Sequence, residues 1–463
     1  MAASLISSSI PAVISAQCAR GLPVMPATDN DWKALHKSHV TRLQSAWGAA
    51  LSSLGIDSVV IHSGQSKLKY SRDDQHWPVV ATPTFSHWTP YNETRAVLVI
   101  SPERIPKLIC ERHTSFWDGP PPSLSTWNRD SFDIELVDKF ASLASAQNIA
   151  FIGDDVKTAF ELGIPAEQCN RGDVLAVIES FRTIKSDFEV TSMRAANILA
   201  LRGHDALKRL FESGDLSELE LHHAYLRETG QTDFTVPYGN IVALGANCGI
   251  LHHIHYDHKA KSVDTSLLVD AGATRHGYAS DITRTWVRGK GPAAEVFRQL
   301  LSGMTQAQRV LVERFTVGKA YEALHDEAHF LIADVLKSVG LVTCGVEEMV
   351  ASGITRAFFP HGLGHSLGLQ VHDVGMRLTK PSADNPFLRN TSVITAGQVV
   401  TIEPGLYFIP SRIDGVLKGP SVRSINQTLL KELMPFGGIR IEDNILATVD
   451  GPVNLTVGEL PSN

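Results

Sequence analysis

Residues 264–286 read DTSLLVDAGATRHGYASDITRTW. Asp270 closes the apolar run Leu267, Leu268, Val269 and is followed by Ala271, the pattern of a buried β-strand. Arg275, His276 and Gly277 then read as a tight hairpin turn, because glycine tolerates the positive φ such turns need. The chain returns through Tyr278, Ala279 and Ser280 to Asp281, Ile282 and Thr283. With the turn at 275–276, Asp270 faces Asp281 directly; with the turn at 276–277 the two are diagonal. Either register puts both carboxylates on one face, roughly 5–8 Å apart. Two like charges in a half-buried sheet repel and lose hydration, so they need a compensating cation. Pairing of one aspartate with Arg275 or Arg284 is the ordinary alternative, and the hairpin alone does not decide.

Four later stretches bear on it. Glu403 ends the apolar strand Val399, Val400, Thr401, Ile402 and precedes Pro404-Gly405. Glu442 lies in GGIRIED (437–443), where Ile439 and Ile441 alternate with Arg440 and Glu442. In HGLGHSLG (361–368) glycines flank His361 and His365, which suits a loop whose backbone must approach something closely. His372 follows in LQVHD (369–373). Lone buried carboxylates rarely survive unpaired. Four carboxylates balance two divalent cations, and one imidazole completes an oxygen-rich set without sulfur. Such a set suits manganese or magnesium, with cobalt or zinc as alternatives. Two metals about 3.5–4 Å apart can hold a bridging water, lower its pKa and clamp a carbonyl.

The chain has 463 residues, 43% of them hydrophobic, enough for at least two domains. A net charge of −7 gives no electrostatic case for nucleic acid. Five cysteines (Cys18, Cys110, Cys169, Cys248, Cys344) lie far apart without a CxxC, as expected for reduced thiols in a cytoplasmic protein. No apolar run approaches the roughly 20 residues of a membrane span. Residues 1–24 contain no acidic side chain and one arginine. They are read as the product of an upstream start codon, with Met25 the true beginning, in preference to a transit or signal peptide.

The expected organisation is an extension over 1–30, an α/β domain over 31–180 and a catalytic domain over 181–463. In the first domain a helix over 31–55 ends at Gly55. Strands follow at Ser58–His62, Ala96–Ile100, Lys107–Glu111 and Ala150–Ile152, with further helical patterns at 134–146 and 172–182. Trp77, Trp88 and Trp117 are expected in its core. Ser186…Glu189 and Ser217…Glu220 match capping boxes that start helices. A strand at Tyr238–Leu244, the hairpin, and long helices near 293–315 and 319–338 come next.

The segments DAG…ASDITRTW, HGLGHSLGLQVHD, TIEPGLYF and GGIRIED together resemble the metal-dependent pita-bread peptidases. Within that family they are similar to bacterial prolidases (Xaa-Pro dipeptidases) and their organophosphorus acid anhydrolase relatives. IHSGQ, SFW and IVALGANCGILHHIHYDH extend the likeness over about 34–448. Five separated motifs in order make it specific. The resemblance implies an α+β pita-bread fold behind a smaller α/β domain, and a homodimer. It implies two divalent ions, manganese first, held by Asp270, Asp281, His365, Glu403 and Glu442, with Asp281 and Glu442 bridging. It implies Xaa-Pro dipeptide hydrolysis by a hydroxide shared between the ions, with Glu403 shuttling its proton and His361 steadying the oxyanion. His252, His361, His372 and Arg389 would contact substrate, Arg389 holding its C-terminal carboxylate. His253 stands where the family has tyrosine. Arg440 and Thr283 would orient the metal ligands. Phosphorus-ester hydrolysis, or a pita-bread binding module without activity, are the alternatives.

His325 and His329 stand four apart on a helix, but Asp326 holds the glutamate position of HExxH; a solvated helix face is expected. His253, His255 and His258 fit no common zinc spacing and are expected at the surface or pocket edge. Asp373 and Asp443 are expected to support neighbouring ligands or turns. Gly362, Gly364 and Gly368 form no phosphate loop, because no Gly-Lys-Ser/Thr follows.

Overall fold

In the computed structural model, which describes residues 22–92, 95–112, 126–141, 148–260 and 264–456, the first long helix runs Asp29–Leu54. Thr28 and Asp31 start it as a reciprocal capping box, and Gly55 ends it at φ 64°. Its apolar face, including Val40, Leu43, Trp47 and Leu51, packs into the core of a first unit running from Pro23 to Thr191. That unit holds a five-stranded sheet of β1 (Ser58–His62), β2 (Ala96–Ile100), β3 (Lys107–Glu111), β4 (Asp133–Val137) and β5 (Ile149–Ile152), in the order β4-β3-β2-β1-β5. β1 is buried along its whole length, as a central apolar strand must be.

Two expectations fail here. The helix placed over 134–146 is not formed at its start: Asp133–Val137 pairs in parallel with β3, and sheet pairing overrides a helical pattern, while residues 142–146 lie outside the described residues. Trp77 is 57% exposed, with the Lys69 ammonium 5.6 Å from its ring centroid. Trp88 is buried, and Trp117 lies outside the described residues, as do residues 1–21.

The second unit begins at Ser192. Ser186 and Glu189 make the reciprocal bonds that open the helix Asp187–Ser213, and Ser217 with Glu220 opens Glu218–Thr229. A three-stranded sheet follows, ordered β10-β7-β6, from β6 (Ile241–Leu244), β7 (Thr265–Asp270) and β10 (Thr283–Arg288). Between β7 and β10 the chain makes the small hairpin β8 (Thr274–Arg275) and β9 (Tyr278–Ala279). Helices Pro292–Glu313 and Tyr321–Ser338 pack over a large apolar core containing Phe297, Leu300, Leu324 and Ile332. β11 (Val399–Ile402), β14 (Asp443–Thr448) and β15 (Gly451–Asn454) form a second three-stranded sheet, and β12 (Gly405–Tyr407) pairs with β13 (Gly438–Arg440). Isolated bridges, Thr283 to Glu442 and Ser366 to Val400, tie strand ends together at the site. No helix among the described residues is long and apolar enough to cross a membrane.

Candidate metal centre

The hairpin turns at His276 and Gly277, with φ of 51° and 84°. Thr283 therefore pairs with Asp270 across β7–β10, and Asp281 sits diagonal to Asp270, one of the two registers expected. At Gly272 the backbones come so close that a Cβ would clash with the Ser280 carbonyl. The Tyr238 hydroxyl lies 2.8 Å from Asp270 Oδ1 and 2.5 Å from Asp281 Oδ1. A hydroxyl has one proton, so the second carboxylate oxygen requires a further proton or a cation.

The other ligand types arrive from three further segments. His365 Nε2 is 3.3 Å from Asp281 Oδ2 and 3.7 Å from Glu403 Oε1. Its Nδ1 lies 3.0 Å from the Ser366 carbonyl, which fixes a proton on Nδ1 and turns Nε2 toward the carboxylates. Without a cation this pose favours a protonated ring: burial would lower its pKa, but the bond and charge of Asp281 and the charge of Glu403 outweigh burial and raise it. With a cation shared among these oxygens, the neutral ring can offer its Nε2 lone pair instead. Glu442 Oε2 accepts from the Thr283 hydroxyl at 2.6 Å, whereas its buried Oε1 has no hydrogen-bond partner among the described residues. One ligand atom each from Asp281, His365 and Glu442 lie within 4.8 Å of one another. Asp270 and Glu403 line the same cavity, of about 830 Å³.

The electrostatics agree with an anionic cluster suited to cations. Burial, reinforced by repulsion from Asp281, raises Asp270 to about 6 despite the Arg440 charge. Burial and the other aspartates raise Glu403 to about 7, with His365 and Arg440 opposing. Burial also holds Glu442 well above the usual carboxylate range. Asp281 alone is lowered: burial would raise it, but the His365 bond and charge prevail.

The arginine partner of Asp270 lies outside the hairpin. Arg440 Nη2 sits 2.6 Å from Asp270 Oδ2, Nε donates to Thr283 Oγ1 and Nη1 to the Tyr407 hydroxyl. Thr283 thus accepts from Arg440 and donates to Glu442, so both residues orient ligands. Arg284 instead pairs with Asp443 at 2.6 Å, and Arg275 is exposed. Asp443 also accepts from Gln308 and Asn454, a supporting anchor for the strand that follows Glu442.

His361, His372, His252 and Arg389 all line the cavity. The His361 Nε2 is 2.8 Å from the Tyr407 hydroxyl and Nδ1 is 2.8 Å from the Gly362 carbonyl. Because Arg440 already donates to Tyr407, the tyrosine proton points to Nε2, and both ring nitrogens of His361 have protein partners. Its ring, desolvated and beside Arg440, is lowered to about 3 and is neutral. The His372 ring centroid lies 4.4 Å from that of His365. Gly364 is held under Thr401 and Tyr321, where a Cβ would clash with the Thr401 carbonyl.

Two decoy expectations need correction or completion. His325 and His329 are not on a solvated face: they are 3% and 1% exposed, their rings 4.9 Å apart against Phe359. The helix turns that face into the core, and burial lowers both rings, to about 4 and about 3. His253 is buried, its Nε2 2.7 Å from Glu218, while His255 and His258 are exposed. Tyr238 and Tyr407, which touch the ligands and His361, were not singled out by sequence pattern. Gly405 carried a signal for Tyr407, since a Cβ there would clash with the tyrosine hydroxyl.

Residues 191–449 match the family model for metallopeptidase family M24, and residues 34–179 match that for the Xaa-Pro dipeptidase N-terminal domain. The Xaa-Pro dipeptidase of Pseudoalteromonas atlantica is 39% identical over 435 residues, covering 91% of this chain and 97% of the relative. That of Marinobacter nauticus is 39% identical over 426 residues with the same coverage, 91% and 97%. Among solved structures, proline aminopeptidase P II from Yersinia pestis superposes with a TM-score of 0.70 at 22% identity, over 92% of this chain and 96% of that one. The chain belongs to metallopeptidase family M24 and has the pita-bread fold, and metal dependence comes with the family.

Proposed function

We propose that this chain is a dipeptidase that cleaves the bond before a C-terminal proline, with two divalent ions held by Asp270, Asp281, His365, Glu403 and Glu442. The observation that supports it most is the convergence of these five side chains, from five segments, on one cavity that also carries Arg389. The likeness to Xaa-Pro dipeptidases over nearly their whole length supports the substrate class. Manganese is the ion proposed, on the ground of the carboxylate-rich donor set.

When bound, the ions supply an acidified water and polarise the scissile carbonyl. Glu403, one of the proposed ligands, stands in the same cavity and is the carboxylate suited to take a proton from the water and deliver it to the prolyl nitrogen. Asp281 and Glu442 are the carboxylates proposed to bridge. Arg389 and His372 bind the free carboxylate of the substrate, and His252 closes the wall of the pocket. For His361 to steady a substrate oxygen, its Nε2, an acceptor from Tyr407 here, must release the tyrosine and carry a proton itself. Homodimeric assembly and a cytoplasmic location belong to the same proposal.

The test is proline release from Gly-Pro and Leu-Pro by metal-supplemented protein, beside a phosphotriester. A higher kcat/KM for the dipeptides supports the assignment. No dipeptide turnover by protein that has bound metal refutes it.

A further inference from the structure

The pocket carries more positive charge than an ordinary dipeptide uses. Arg377, Arg389, Arg412 and Arg440 all line it. Arg440 is committed to Asp270, Thr283 and Tyr407. The guanidinium groups of the other three have neither a hydrogen bond nor an acidic partner among the described residues. The acidic side chains of the lining are Asp270, Asp281, Glu403 and Glu442, whose charge the proposed ions neutralise.

The arginines are not equivalent. Alongside burial and His365, the charge of Arg389 lowers the His372 ring, which places Arg389 at the His372 side. Arg412, on the helix Pro410–Leu417, also lines an adjoining cavity of about 220 Å³ beside His361. Arg356 lines that cavity too, donating to the Val350 and Asp384 carbonyls and to no acid. Asp384 is the one acidic residue in that lining, and it is exposed. A zwitterionic dipeptide brings one carboxylate, which Arg389 satisfies. Guanidinium groups left over form a field that favours a second anionic group and repels a cationic one.

We infer that this chain prefers dipeptides with an acidic residue before proline, Glu-Pro and Asp-Pro, whose side-chain carboxylate is drawn by Arg412, which lines both cavities, within a field to which Arg377 of the main pocket adds. The inference rests on the dipeptidase reading and adds the substrate class. Guanidinium and carboxylate pair as planar groups, but at an exposed rim each pair is weak.

The test compares kcat/KM for Glu-Pro and Gln-Pro, which differ in charge and hardly in shape, with Lys-Pro as the opposite extreme. Glu-Pro is expected to exceed Gln-Pro about three- to tenfold at low salt, less at high salt, and Lys-Pro to be the poorest. In the double variant Arg377→Gln, Arg412→Gln the Glu-Pro to Gln-Pro ratio should fall to about one. A ratio is read within one preparation, so a general loss of activity does not disturb it. Equal rates for Glu-Pro and Gln-Pro, or a ratio unchanged in the double variant, overturn the inference and leave the dipeptidase assignment standing. Failure to cleave any Xaa-Pro dipeptide overturns both.

Discussion

The Thr283 hydroxyl lies 2.6 Å from Oε2 of Glu442, across the bridge that joins the ends of two separate sheets. One oxygen of that carboxylate is thereby fixed, and the other, buried and without a hydrogen-bond partner among the described residues, is the one open to a cation. Replacing Thr283 by valine keeps the shape and removes the donor. Metal affinity should drop about 10- to 100-fold, measured by competition with a chelating dye, and Thr283→Ser should restore most of it.

Asp281 touches Tyr238 and His365 and is, with Glu442, one of the two acidic members of the three-residue ligand group. Asp281→Asn keeps the size and removes the charge. Elemental analysis should find no retained divalent ion, and dipeptide turnover should vanish. Full turnover by protein holding one metal or none would refute the two-ion scheme.

Arg440 reaches three oxygens at once through a planar fork. Lysine offers a point charge on a flexible stem. Arg440→Lys should keep the fold, by circular dichroism, and lower kcat about tenfold or more because Asp270 and Tyr407 lose their common anchor.

Gly364 precedes His365 with no room for a methyl group against Thr401. Gly364→Ala should destabilise the folded protein by about 1–3 kcal/mol and displace His365, lowering metal affinity together with melting temperature. Unchanged melting with full metal binding would contradict the packing described.

His36 is buried among aromatic rings, its Nε2 donating to the Trp88 carbonyl at 3.0 Å. Burial lowers its pKa from 6.5 to about 4. The unfolded chain therefore binds a proton between these values that the folded chain does not. Stability from this site is whole above pH 6.5, falls as the pH drops toward 4, and levels off below. The total is about 3 kcal/mol. Urea unfolding followed by tryptophan fluorescence should show that slope, reduced by about one proton in His36→Gln. The signal reports mainly the first unit, because Trp286 is the only tryptophan beyond Thr191.

The parts of the site legible in sequence were those where a residue violates its surroundings. Asp270 and Glu403 end apolar strands, and glycines bracket His361 and His365; each is an anomaly a periodic pattern exposes. The first-unit strands Ser58–His62, Ala96–Ile100 and Lys107–Glu111 fell where the short apolar runs placed them. Tyr238 and Tyr407 violate nothing locally, since a tyrosine near a strand is ordinary, and their hydroxyls acquire meaning only when the carboxylates and His361 arrive from elsewhere. His325 and His329 failed for a related reason: an i, i+4 pair defines a helix face but not which way the face turns. The strand Asp133–Val137 is only five residues long and opens a longer helical pattern, so its state is decided by β3, a neighbour no local window contains.

The proposed ligands are drawn from five places along the polypeptide, and the last, Glu442, lies beyond β13 near the end of the described chain. During synthesis, the ribosome must deliver every segment as far as Glu442 before the cradle can close. Ion capture thus waits for the last of the five ligands, and a nascent chain stalled before residue 438 should hold no metal tightly however much is supplied.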